Sequence, residues 1–147
     1  MRRRAALAGL AALLVPPFVA RAADTDDVNG LPRRDWDAIR KVIADQLEAL
    51  RRDDGEQAFA HATAALQQQF GDADGFMRMV HGGYGALLAA RYTEFLEGAV
   101  IDGVTIQPLR LVLPDNAVLV ALYTMQREGE AWRIAGCVLA PSTVKAA

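Results

Sequence analysis

Cysteine, histidine and long apolar runs are all scarce in this chain. Its one cysteine, Cys137, has no partner with which to close an internal disulfide. Its two histidines, His61 and His81, lie twenty residues apart, with no CxxC or HExxH spacing around them. The usual zinc sites are therefore excluded. No GxSxG elbow and no GxxxxGK loop occurs, so neither a common serine hydrolase nor a phosphate cradle is supported. The apolar run Ala5–Val15 reaches about 16 Å as a helix, well short of a ~30 Å hydrocarbon core. No later segment is long and apolar enough to span a membrane. At 147 residues, with 12 glycines and 6 prolines, the chain is too short for two full domains and is not of low complexity.

What is present begins with an address. Met1-Arg-Arg-Arg4 is a basic start, Ala5–Val15 the apolar stretch, and Pro16-Pro17 ends it. Ala20-Arg21-Ala22 supplies small residues where a signal peptidase reads, so residues 1–22 are expected to be an export signal cleaved after Ala22. Arg3-Arg4 fits both the Sec and the twin-arginine route. Cleavage leaves 125 residues with 12 basic against 18 acidic, a net charge of -6. An acidic, exported, periplasmic domain is a poor partner for nucleic acid, whose affinity rests on Lys and Arg at phosphates.

The mature part reads as helices followed by strands. Residues 23–31 are polar and acidic and contain Asn29-Gly30, the pattern of a flexible lead-in. From Arg33 to Arg52, Trp36, Ile39, Val42, Ile43, Leu47 and Leu50 recur at three and four, which makes one apolar helix face. Pro32 suits its first position, Asp35 and Asp37 its first turn, and Arg51 and Arg52 its last. Asp53-Asp54-Gly55 breaks it. Shorter helices are expected over 56–63 and 64–69, then one through Phe76 and Val80 that Asp72 or Asp74 caps and Gly82-Gly83 ends.

Beyond about residue 90 the period becomes two. Strands are expected near 91–100, 104–113, 117–127 and 131–139, joined by Asp102-Gly103, Pro114-Asp115-Asn116 and Glu128-Gly129. These are hairpin connections, so the sheet is expected to be antiparallel. The fold class is α+β: N-terminal helices on a curved four-stranded antiparallel sheet, a single domain over 32–141 with a tail at 142–147. The helix at 33–52 is expected to nest in the concave side of the sheet.

Chemistry is harder to find. Asp72-Ala-Asp-Gly75 lacks the ligands of a calcium loop and reads as a helix cap. Cys137 lies in the apolar run Trp132-Arg-Ile-Ala-Gly-Cys-Val-Leu139, where a buried thiol is a poor nucleophile. The out-of-place residues are polar ones within strands. Gln107 shares a face with Leu109 and Leu111, Arg110 with Ile106 and Val112, Tyr123 with Leu119 and Met125, and Arg133 with Ala135 and Cys137. Arg110 and Arg133 are expected to meet Glu94, Glu97 or another carboxylate, or to reach solvent. A sheet folded over helices leaves a hollow that Tyr84, Tyr92, Gln107 and Tyr123 would line.

Together, Ala58-Phe-Ala60, Gln69-Phe-Gly-Asp72, Phe76-Met-Arg-Met-Val80, Gly83-Tyr84, Ala121-Leu-Tyr-Thr-Met125 and Trp132-Arg-Ile-Ala-Gly-Cys137 resemble the domain of unknown function 4864 family of short exported bacterial proteins. The resemblance implies a nuclear transport factor 2-like or cystatin-like cone and no particular activity. One stretch departs from the family pattern. Gly83-Tyr84 is followed by Gly-Ala-Leu-Leu-Ala-Ala-Arg91 rather than by prolines, tyrosine and arginine.

The reading that follows is a non-catalytic exported module that binds a small apolar or amphipathic ligand or forms a homodimer. It needs no cofactor and no metal. A hydratase- or isomerase-type enzyme would use His81 as base with Tyr84 or Tyr123 as donor. An envelope interaction module is the third reading.

Overall fold

A computed structural model describes Asp26–Ser142, together with Ala12. The expected signal segment and the end of the tail lie outside the described residues. Where a flexible lead-in was expected, Asp27–Val28 (β1) and Leu31–Pro32 (β2) form a small hairpin. Asn29 and Gly30 make its turn, both at positive φ. The hairpin is ordered by tertiary contacts. Val100 N–H donates to Asn29 O at 3.0 Å, and the Asn29 amide donates to Gly98 O at 3.0 Å.

The first helix, α1, runs over Arg33–Arg51, with Pro32 just outside as its N-cap residue. Its buried stripe holds the expected Trp36, Ile39, Ile43, Leu47 and Leu50 and also two polar residues, Asp35 and Gln46. Four short helices follow: α2 (Gly55–Ala60), α3 (Ala64–Phe70), α4 (Ala73–Gly83) and α5 (Gly85–Ala89). Side chains cap the first three of them. Asp54 accepts from Gln57 N, Thr63 from Leu66 N and Asp72 from Gly75 N. The Asp72–Gly75 run is thus a helix cap. α5 falls on Gly-Ala-Leu-Leu-Ala, a run that contains no proline to forbid a helix.

The large sheet is antiparallel and has five strands, not four: β3 (Tyr92–Phe95), β4 (Ala99–Ile101), β5 (Val104–Val112), β6 (Val118–Glu128) and β7 (Ala131–Pro141). The expected strand 91–100 is broken at Leu96–Gly98, and its two pieces pair with opposite ends of β5. The break has two causes. The Gln107 amide takes Leu96 O at 2.7 Å, and Gly98 lies hard against the Trp36 ring. Pro108 still pairs with Leu122 on β6, and its missing N–H costs the ladder nothing at the broken edge.

One face of the sheet carries Leu109, Leu111, Ala121, Tyr123, Met125, Trp132 and Ile134, which join α1, Phe76, Val80 and Leu87 in one core. A register shift at Thr124/Met125 sets Ile134 opposite Met125 but Gly136 opposite Thr124. Ala135 is the extra residue of this bulge. It puts Cys137 beside Tyr123 on the core side and Arg133 on the other side, which corrects the expectation that Arg133 and Cys137 share a face. The link between α2 and α3 is tied to β7 by two backbone bonds, Thr63 N–H to Ile134 O and Ile134 N–H to His61 O.

Candidate functional site

These elements leave a cavity of about 50 Å³ between Gln46 and Leu50 of α1, helices α3–α5 and strands β6–β7. Each wall has a local reason. Leu66 and Phe76 follow the capped starts of α3 and α4, and Val80 and Leu87 are the buried residues near the ends of α4 and α5. The β7 wall is Ile134, Gly136 and Cys137, brought into line by the bulge. The lining is almost entirely apolar.

Two of its polar groups are spoken for. The Gln46 amide donates to Ala58 O at 3.3 Å, and the Tyr84 hydroxyl donates to Cys137 O at 2.8 Å. The third, the Tyr123 hydroxyl, is not. Tyr123 is 0 % exposed and its oxygen makes no hydrogen bond. Its cross-strand neighbour is the Cys137 thiol, whose contact with the phenol is too poorly aligned for a full hydrogen bond yet raises the phenol and lowers the thiol. A buried polar atom left unpartnered costs about 1–3 kcal/mol, a cost that the weak contact with the thiol offsets in part.

Burial, more than any neighbour, pushes the Tyr123 phenol well above its usual range and the Cys137 thiol up to about 12. Both groups are therefore neutral at physiological pH, and Cys137 is a poor nucleophile. The thiol is raised in the folded state relative to about 9 unfolded. Its contribution to stability is thus complete below pH 9 and is lost as pH rises toward 12. Between pH 8 and pH 10 wild type is expected to lose about 1.4 kcal/mol more than Cys137→Ala, as read from urea unfolding at the two pH values.

The remaining candidates lie elsewhere. Gln107 is fully buried, but it faces the strand break: its amide donates to Leu96 O and Pro108 O, and its oxygen accepts from Arg40. Tyr92 is 52 % exposed at the sheet edge. Neither lines the cavity. His81 is also outside it, with its side chain 56 % exposed and its Nε2 3.4 Å from Asp53. His61 flanks an open polar groove with Asp45, Glu48 and Arg52, and burial lowers its pKa. Of the four expected lining residues, Tyr84 and Tyr123 come together and Tyr92 and Gln107 do not. Arg110 pairs with Glu94 as anticipated, whereas Arg133 donates to Ala60 O. The residues that sequence reasoning missed are Gln46 and Cys137. Gln46 sits on the apolar stripe of α1 at Ile39 plus seven, a visible signal; the bulge that turns Cys137 inward has none. Among the described residues no cluster of His, Cys, Asp or Glu could hold a metal ion.

The class defined by fold and cavity is a small α+β domain with helices on an antiparallel sheet and an apolar hollow between them. The chain belongs to the family described as domain of unknown function (DUF4864), whose model matches residues 32–147. No curated protein and no solved structure matches it.

Proposed function

We propose that the chain is an exported, non-catalytic module that holds a small apolar or amphipathic ligand in the cavity between α1, α3–α5 and β6–β7. The observation that carries this reading is the apolar hollow of about 50 Å³ itself, left between the helices and the sheet where the rest of the core is filled. An acid–base enzyme is a weaker reading, because His81 stands outside the cavity and burial keeps the Cys137 thiol inside it protonated. The order of helices and then an antiparallel meander favours kinship with nuclear transport factor 2-like cones, in which this hollow would be the interior. The basic and apolar start of the sequence supports export to the periplasm.

A second reading, a homodimer, rests on the sheet face turned away from the helices. That face carries Ile106, Pro108, Val120 and Leu122, with Val138 62 % exposed, around the ion pair Arg110–Glu94, and Gln126 and Arg133 at its far end. Such a patch on an exported domain favours an interface. A two-fold axis through the pair would set each Arg110 against the other copy's Glu94.

Native mass spectrometry of protein purified from a periplasmic extract addresses both readings. An adduct of low mass is expected, and Leu66→Trp, which adds bulk to the cavity lining at a half-buried position, is expected to abolish it. Bare protein in wild type counts against the ligand reading, and the absence of a dimer peak at tens of micromolar counts against the second.

A further inference from the structure

We propose that β7 pairs edge to edge with β7 of a second copy of the chain, antiparallel and centred on Leu139, so that the two large sheets join into one. The inference stands apart from the cavity and from the outer sheet face. β7 ends the sheet, and among the described residues no strand runs along its far side. Its first half is tethered there, because the α2–α3 link bridges Ile134 in parallel. Its second half is open. Two bonds fix which way the backbone points. Ser142 N–H donates inward to Val118 O at 3.2 Å, whereas Cys137 O accepts from the Tyr84 hydroxyl and not from β6. Backbone groups alternate along a strand, so Cys137, Leu139 and Pro141 all turn theirs away from β6. Among the described residues nothing bonds to the Cys137 N–H, to either backbone group of Leu139 or to Pro141 O.

The pattern left open is complementary to itself. Cys137 offers a donor only, its carbonyl being filled by Tyr84; Leu139 offers a donor and an acceptor; Pro141, with no N–H, offers an acceptor only. A two-fold axis at Leu139 sets the two leucines opposite each other and Cys137 opposite the other copy's Pro141. The leucines exchange both bonds, and each Cys137 N–H reaches the other copy's Pro141 O. The donor that Pro141 lacks falls opposite the carbonyl that needs none, so no backbone group facing the partner is left over. From Ile134 to Pro141 the edge carries no charged side chain, so two copies meet without like-charge repulsion. Exposed Val138 is covered by the other copy's Ala140. The opposite edge is built differently: β3 and β4 are short and separated by the break at Leu96–Gly98, which keeps that edge from pairing.

An edge contact is smaller than a standard interface, so a Kd of roughly 10–100 µM is expected. The test compares protein at about 1 µM and about 500 µM by sedimentation velocity and by hydrogen exchange read amide by amide. The concentrated sample should be dimeric, with the Cys137 and Leu139 amides slowed about fivefold. Val138 and Ala140, whose amides bond to β6, should be slow in both samples. This alternation needs no variant, so a folding defect cannot mask it. Leu139→Pro, which removes a central N–H unbonded in the monomer, should leave no dimer at the higher concentration. Ile106→Lys, on the outer face, should leave the dimer intact. A monomer at the higher concentration overturns the inference. A dimer in which both amides stay fast and which Ile106→Lys dissolves also overturns it, in favour of the outer face. Both amides slow even when dilute would mean that the edge is covered without a second copy, and overturns it as well.

Discussion

Replacing Asp35 with Ala is expected to destabilise the protein by about 2–3 kcal/mol, which for a domain of this size lowers Tm by roughly 10 °C. Asp35 lies in the first turn of α1 and is buried, an unusual place for a carboxylate. Its Oδ1 accepts from Arg127 at 3.1 Å and from the Trp132 indole N–H at 3.3 Å. The Arg127 guanidinium also lies over the Trp132 ring, 5.4 Å from its centroid. One oxygen thus joins the start of the long helix to the β6–β7 hairpin, 92 and 97 residues away. In Asp35→Ala the indole N–H is stranded in the core, which is the costly part. Arg127 is about half exposed and returns to water, so its share is small. Asp35→Asn keeps an acceptor and should lose about half as much. Trp36 and Trp132 are the two tryptophans, so fluorescence during urea unfolding reports from this region. A loss below 1 kcal/mol for Asp35→Ala would mean that the clamp holds nothing together.

A comparable loss, about 2–3 kcal/mol, is expected for Gly98→Ala at the break between β3 and β4. A Cβ added there would sit 2.4 Å from Cζ3 of Trp36, with two more ring atoms at 2.8 and 2.9 Å. All three belong to one rigid indole, which cannot bend aside as a lysine tail would. The ring is also pinned, because its N–H donates to Val28 O at 2.6 Å. To accept a methyl group, Trp36 must leave the core or the β1–β2 hairpin must move with it. The expected signature is therefore double: a lower urea midpoint, and indole fluorescence shifted to the red before unfolding begins. Gly129, in the turn between β6 and β7, has open space around its missing Cβ but sits at φ 62°; Gly98 is the case in which space, not φ, decides. Unaltered fluorescence and stability in Gly98→Ala would show that the indole has freedom to retreat.

How far these features could be read from residues alone varies with their range. The long helix was legible because six apolar residues at three- and four-residue spacing admit one face only. The hairpin turns were legible because Asp102-Gly103 and Glu128-Gly129 carry the positive φ that such turns require, seen at Asp102, Gly103 and Gly129. The broken edge strand was not. Its cause is the meeting of Gly98 with Trp36, 62 residues earlier, and of Leu96 with Gln107. The hairpin at 27–32 was hidden for the same reason: its polar residues look like a lead-in until Val100 and Gly98 bond to Asn29. In the candidate site Tyr84 and Tyr123 were within reach of pattern reasoning. Gln107 was not separable from them, since all three are polar residues on apolar faces and only coordinates tell which one is already satisfied.

Sequence by itself determined the class of element at each position, since helix and strand periods, caps and turn residues act over a few neighbours. It also carried the family resemblance. The tertiary structure alone decided which polar groups find partners. One bulge residue, Ala135, turns Cys137 to Tyr123's side, and a chain fold brings Tyr84 across to take the Cys137 carbonyl. Tyr123 is left fully buried against the Cys137 thiol, beside an apolar hollow. Side chains pack and pair in space and not along the chain, so the hollow on which the function reading rests is written in no local pattern.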